Sequence, residues 1–212
     1  MARITKGILG GFRGKVGTVV GSSIFGIDVM RAYQPDVHNP QTVSQTIQRN
    51  KFSILIPQLR RILSIIHIGF AKAAIKMSAY NAAVKANIVS ALEPDGNTWA
   101  FMPSGLKTAI GSLVGFSNAA DDNSVSGSVT LTWDDNSLVE GANSEDKVYA
   151  LALNYDTSNI VKSLGVKKRS DGTLTLDISG FEGGSDYDVY LFLVSGTNGS
   201  ISDSIYLTDT VI

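Results

Sequence analysis

YDVYLFLV, residues 187–194, is the stretch that decides the fold. Tyr187, Val189, Leu191 and Leu193 alternate with Asp188, Tyr190, Phe192 and Val194, and a two-residue period is the signature of a β-strand. Working outward, similar short runs recur at even spacing over 110–116, 128–133, 147–155, 160–166, 173–178 and 200–207. Gly, Asn, Asp and Ser clusters separate them, as turns require. Seven short strands with such punctuation predict a β-sandwich over residues 106–212.

Two details in this half resemble the fibronectin type III family, an Ig-like sandwich. Trp133 ends the second strand, where that family keeps its core Trp. FEGGSDY, residues 181–187, is similar to its turn and tyrosine corner, with Gly183 where the family usually has Pro. The resemblance implies a fold and leaves function open.

Upstream of 106 the pattern changes. NPQTVSQTIQRNKF, residues 39–52, opens with Asn39-Pro40, a helix-start signal. Gln41, Gln45, Gln48 and Arg49 then recur at helical steps and form a polar face of donors and acceptors. Phe52, Ile56, Leu59, Leu63, Ile66 and Phe70 make one apolar stripe, and Ile47, Ile54, Leu55, Ile62 and Ile65 a second. A helix apolar on two sides is buried on two sides, and Pro57 is expected to kink it. A second helix is predicted over 76–92, ended by the turn at 94–97, with 103–105 as a linker. Ahead of both helices, a basic glycine-rich arm (1–13) leads into strands at 15–20 and 27–33, read as a hairpin around Gly21-Ser22-Ser23. The expectation is therefore an α+β N-terminal region, 1–105, of one β-hairpin plus two helices, followed by an all-β Ig-like/fibronectin type III-like sandwich, 106–212.

Composition removes several function classes. The 212 residues include no cysteine and only His38 and His67, so thiolate chemistry and His-rich metal clusters are excluded. His67 has no acidic partner at helical spacing and reads as structural. No G-x-S-x-G elbow is present. Gly14-Lys15 fails as a phosphate loop, because Leu9 stands where the first glycine belongs and Val16 where Ser/Thr belongs. The carboxylates at Asp121-Asp122, Asp134-Asp135, Glu140 and Glu145-Asp146 suggest calcium, but Gly127 falls one residue late for an EF-hand and solvated turns are the better reading. Tyr149, Tyr155 and Tyr206 are conceivable sugar platforms, although strand tyrosines more often pack. No catalytic, cofactor-binding or metal-binding residue is assigned.

The net charge of −1 hides a split. Residues 1–106 hold 12 Lys/Arg against 4 Asp/Glu, a balance of +8, and 107–212 hold 6 against 15, a balance of −9. The cations are dispersed without interleaved aromatics, so head-to-tail contact between subunits is favoured over nucleic acid. The run at 54–70 contains Arg60, Arg61 and His67, which argues against a membrane span. No secretory signal is expected at the N-terminus.

The spaced residues Asn39-Pro40, Thr42, Gln45, Gln48-Arg49 and Phe52, with Tyr80-Asn81, Val84 and Asn87 behind them, resemble a pattern in uncharacterised proteins of phages, prophages and Bacteroidota. The opening GILGGFRGKVGTVVG, with Gly26 and Arg31, is similar to a Bacteroidota family that pairs this head with a C-terminal sandwich, departing at Ile24-Phe25, where a Trp is common. The resemblance implies a non-enzymatic structural protein: a virion component made in the host cytoplasm (capsid-associated, decoration, tail or fibre), contacting other copies of itself and other virion proteins. Gln45, Gln48 and Arg49 are the expected assembly residues, docking on backbone within 6–31, together with the basic Arg13, Lys15 and Arg31. The alternative is a cell-surface or carbohydrate-binding module of a Bacteroidota cell, and an enzyme is the least favoured.

Overall fold

The computed structural model describes residues 3–4, 10–37, 39–96, 98–122, 124–125, 127–155, 157–181 and 187–208. Residues 182–186 of the corner signature, His38 and residues 1–2 and 5–9 of the 1–13 arm lie outside them, and β2 begins within that arm. The chain divides into two compact units, Met1–Thr46 and Ile47–Ile212. The first holds strands β1 (Arg3–Ile4), β2 (Phe12–Val16), β3 (Val19–Ile24) and β4 (Ile27–Ala32). Helix α1 (Val43–Arg61) begins there and continues into the second, which adds α2 (Leu63–Gly69), α3 (Ala79–Ser90), β5 (Leu92–Asp95) and β6 (Thr98–Phe101). The remaining strands are β7 (Ser117–Asp122), β8 (Ser128–Asp134), β9 (Lys147–Leu153), β10 (Ile160–Lys168), β11 (Thr173–Asp177), β12 (Asp188–Val194) and β13 (Ile205–Thr208).

The alternating stretch becomes β12, which pairs antiparallel with β9 and β13 inside a sheet of order β10-β9-β12-β13. A three-stranded sheet, β11-β8-β7, supplies the other layer of a sandwich. Its core is built from one face of each sheet: Val129, Leu131, Trp133, Leu174 and Leu176 with Val148, Ala150, Ala152, Val189, Leu191 and Leu193. Each large aliphatic side chain removed from water there stabilises by about 1.5–3 kcal/mol. Tyr187 and Trp133 are both buried. The Trp133 indole N–H donates to the Arg169 carbonyl at 2.7 Å, and its ring meets Phe116 edge-on at 5.3 Å. Arg169 is itself fully buried. Its guanidinium donates to Asp146 Oδ2 (3.0 Å), the Val114 carbonyl (2.7 Å) and the Gly115 carbonyl (3.1 Å), and also to Asn136. One buried cation thus ties the 114–116 segment to the end of β10.

The outer face of the four-stranded sheet is apolar as well. Leu151, Leu153, Tyr190 and Phe192 join Leu55, Leu59, Ile62, Ile65, Ile66 and Phe70 of the helices, with Ala82 and Ala83 of α3, in a second core. The helices reach that sheet by a bend of 89° between α1 and α2. It falls at Ile62, where φ/ψ is −107°/23°, and α1 runs on through Pro57, where the kink was expected. Arg61 secures the corner, donating to the Asn154 carbonyl at 2.8 Å and to Gln58 at 3.0 Å. No single described helix is long and apolar enough to cross a membrane.

Several elements shift from their expected places. Residues 110–116 do not form a strand; Leu113 makes one bridge to Ser202, and the first sandwich strand is β7 (Ser117–Asp122). The second helix is shorter than expected because the Ser78 hydroxyl caps it, accepting from the Asn81 N–H at 3.1 Å. Its C-terminal end gives way to the β5–β6 hairpin. The 103–105 segment is packed down and does not act as a linker: a Cβ on Gly105 would lie 1.8 Å from the Ser90 carbonyl oxygen, and the Tyr190 hydroxyl donates to the Pro103 carbonyl at 2.8 Å. Buried Asn87 holds Lys107, just beyond that segment, accepting from the Lys107 N–H (2.7 Å) and donating to its carbonyl (3.0 Å). The compact units divide at 46/47, and the residues on either side of 105/106 share one apolar core.

Candidate assembly surface

The first unit is an antiparallel meander, β1-β2-β3-β4, where the sequence predicted one hairpin. Its turns fall at Gly17 (φ +55°) and at Phe25-Gly26 (φ +49° and +80°), positions that need the left-handed region. Gly21, expected in the turn, sits mid-strand beneath the Phe12 ring, where a Cβ would lie 2.7 Å from ring carbons.

This sheet has almost no inside. Among the described residues 10–37, Gly21 alone is buried. Every residue of β4 is exposed, and Val16, Ile24, Phe25, Ile27, Met30 and Tyr33 stand between 43% and 71% exposed. A cleft of about 330 Å³ runs along Gly11, Phe12, Asp28, Val29 and Met30.

The expected site residues fall into two groups. Lys15, Val20 and Arg31 are register partners across β2, β3 and β4, so their side chains share one face. Tyr33 lies two residues beyond Arg31 on that face, and the Lys15 ammonium stands 3.3 Å from its ring centroid. Arg13 precedes Lys15 by one pleat repeat and is exposed.

Gln45 does something else. Its Oε1 accepts from the Thr42 N–H (3.3 Å), while its own N–H donates to the Thr42 hydroxyl (3.4 Å). This reciprocal capping box starts α1 at Thr42, and the Asn39-Pro40 start is superseded. The Gln45 amide is thus engaged with its own helix start, where docking on the arm was expected. Gln48 and Arg49 follow on α1, both exposed.

The other candidates fall into structural places. His67 is exposed in the last turn of α2. Tyr149 stacks on Phe192 at 5.2 Å, and the Tyr155 and Tyr190 hydroxyls lie 3.0 Å apart, with Tyr206 donating to Asp188. Burial pushes the Tyr155 and Tyr190 hydroxyls well above the usual phenol range. No group of three metal-ligating side chains occurs among the described residues. What sequence reasoning missed is the β3–β4 tip, Ile24-Phe25-Gly26-Ile27. Its signal in the sequence was a glycine, Gly26, set among apolar residues.

The chain belongs to a family of unknown function, DUF6266, which matches residues 11–208. No curated protein matches it. Among solved structures it is similar to the fibronectin type III domain of the human collagen α-1(XX) chain, at 13% identity over 46% of this chain and 84% of that one. The TM-score is 0.33.

Proposed function

We propose that this protein is a non-enzymatic structural component that works by assembly, with its N-terminal sheet docking on neighbouring protein. The observation that carries the reading is the sheet of residues 10–37, which leaves both apolar and cationic side chains in water and buries only Gly21. Contiguous apolar surface of this kind marks interaction sites in soluble proteins, and an uncovered apolar edge such as β4 is a template for another chain. We read the sandwich as fibronectin type III-like, on its three-against-four strand partition with Trp133 on the second strand and Tyr187 leading the sixth. The setting we propose is a phage virion, as a capsid-associated, decoration or tail component, on the resemblance of the glycine-rich head. We rank the sugar-binding alternative second, since Tyr149 and Tyr155 are half-buried against the core beneath the helices and Tyr206 donates to Asp188.

Sedimentation velocity of the full chain tests the assembly reading. The expected result is concentration-dependent self-association; a monomer throughout would overturn it. Quantitative mass spectrometry of purified particles tests the setting, with many copies per particle expected and none overturning it.

A further inference from the structure

The sandwich has two outer faces of opposite character. The helices cover that of the four-stranded sheet, and that of the three-stranded sheet is open. There Asp122, Thr130 and Thr175 are register neighbours, as are Ala120, Thr132 and Thr173, with Asp134 and Asp177 at the strand ends. These side chains are exposed or half-buried and none is larger than Asp or Thr, so the platform is flat. The Thr130 and Thr175 hydroxyls meet at 3.3 Å across the strands. Asp122 and Asp177 are held below the usual carboxylate range by hydrogen bonds from Ser124 and Ser179.

The basic face of the N-terminal sheet has the complementary pattern. Lys15 and Arg31 flank Val20, with Arg13 one repeat away and Val29 one repeat along β4. Among the described residues, none of these three cations forms an ion pair. Asp28 lies at the opposite pleat position, where a Cβ on Gly11 would meet its carboxylate at 2.2 Å.

We propose that the Arg13–Lys15–Arg31 face of one copy docks on the Asp122–Thr130–Thr175 face of a second copy, so that chains associate head to tail. The inference rests on the assembly reading and names its interface. Charge decides the occupant. Residues 1–46 carry 5 Lys/Arg against 2 Asp/Glu, a balance of +3, and 107–212 a balance of −9. Opposite patches steer encounter and fix register, while two basic faces would repel. A nucleic acid backbone would satisfy the cations but offer Val20 and Val29 nothing; threonine methyl groups offer contact to both. A contact between unlike patches is heterologous and propagates to rings or filaments.

Because the chain has no cysteine, disulfide trapping is free of background. Full-length Arg31→Cys and full-length Thr175→Cys, mixed under mild oxidation, should give a mixed dimer. Arg31→Cys alone and Arg31→Cys with Leu164→Cys, an exposed position on β10, should not. In parallel, Lys15→Glu with Arg31→Glu should weaken self-association by roughly tenfold or more at low salt, and Asp122→Lys with Asp177→Lys in the other copy should restore it. Self-association without the 31–175 cross-link, or indifferent to the charge reversals, overturns this interface and leaves the assembly reading standing. A chain that stays monomeric overturns both. Association that appears only on adding duplex DNA also overturns it.

Discussion

Strands β12 and β4 are both rich in apolar residues, yet every residue of β4 is exposed while β12 is covered on both sides. In β12 the odd-numbered side chains, Val189, Leu191 and Leu193, enter the sandwich core, and Tyr190 and Phe192 enter the core beneath the helices. For β4, Ile27, Val29 and Met30 find no such cover among the described residues of their unit. The comparison teaches that apolar content fixes how much surface must be hidden and leaves open who hides it. One strand is satisfied within the chain. The other, on the assembly reading proposed above, is left for a neighbour to cover.

The largest effect should come from stripping β12 of one cover. A fragment of residues 106–212 keeps the sandwich core but bares Leu151, Leu153, Tyr190 and Phe192, which α1, α2 and α3 cover. It also loses the Pro103 carbonyl that accepts from Tyr190 and the Asn87 side chain that fixes Lys107. At about 1.5–3 kcal/mol per large side chain, that loss rivals the 5–15 kcal/mol net stability of a typical domain. The fragment should show no cooperative urea transition and should bind a hydrophobic dye, whereas 47–212 should unfold cooperatively. A sharp transition for 106–212 would mean the helical cover is dispensable.

Next in size are two single substitutions in the sandwich. Trp133→Ala should destabilise by about 3–5 kcal/mol as a large core truncation, and it also removes the bond to the Arg169 carbonyl. Asp146→Ala should cost about 3–5 kcal/mol, because it leaves the Arg169 guanidinium buried without its counter-charge. Chemical denaturation of the full chain measures both. A loss under 1 kcal/mol for either would contradict the packing described for that end of the sandwich.

Asn87→Ala is a smaller test of the same layer. The variant removes the side-chain partner of the half-buried Lys107 N–H and carbonyl, a net loss of about 0.5–1.5 kcal/mol for each bond. Asn87→Asp keeps the acceptor but turns an oxygen toward the Ala83 and Lys107 carbonyls and buries a charge, so it should be at least as unstable as alanine. Equal stability of all three would show that the clamp contributes nothing.

Much of this was legible in residues 187–194, and its incomplete reading is instructive. The period-two pattern placed the strand to within one residue, and the composition of Trp133 and its neighbours placed a core. Tyr190 and Phe192 on the supposed outer face already carried a second message, since strands apolar on both faces are covered on both. The break placed at 106 followed a change from helical to strand period, but a core is indifferent to that change and runs across it. In the N-terminal sheet, seven glycines between 7 and 26 looked alike. Only pairing decides that Gly17 and Gly26 turn the chain while Gly21 makes room for Phe12. Among the expected site residues, Thr42-x-x-Gln45 was readable as a capping box from spacing alone. The convergence of Lys15 and Arg31 was not, because it depends on register across β3.

The smallest expected effect is the one that separates the two strands most cleanly. Phe25 occupies φ +49° at the β3–β4 turn and is 60% exposed. A non-glycine residue there is strained by roughly 1–2 kcal/mol, and Asn tolerates the region better than any other side chain with a Cβ. Phe25→Asn should therefore stabilise the hairpin by about 0.5–1 kcal/mol, read as several-fold slower hydrogen exchange at β3 and β4 amides. The equivalent exchange of an aromatic for Asn at Phe192, fully buried against Tyr149, should instead cost about 3–5 kcal/mol. If Phe25 is retained for docking, the slower-exchanging variant will also associate more weakly. A Phe25→Asn protein that exchanges faster at β3 and β4 would show that the ring is covered within its own chain, and the contrast with β12 would then fail at its most exposed residue.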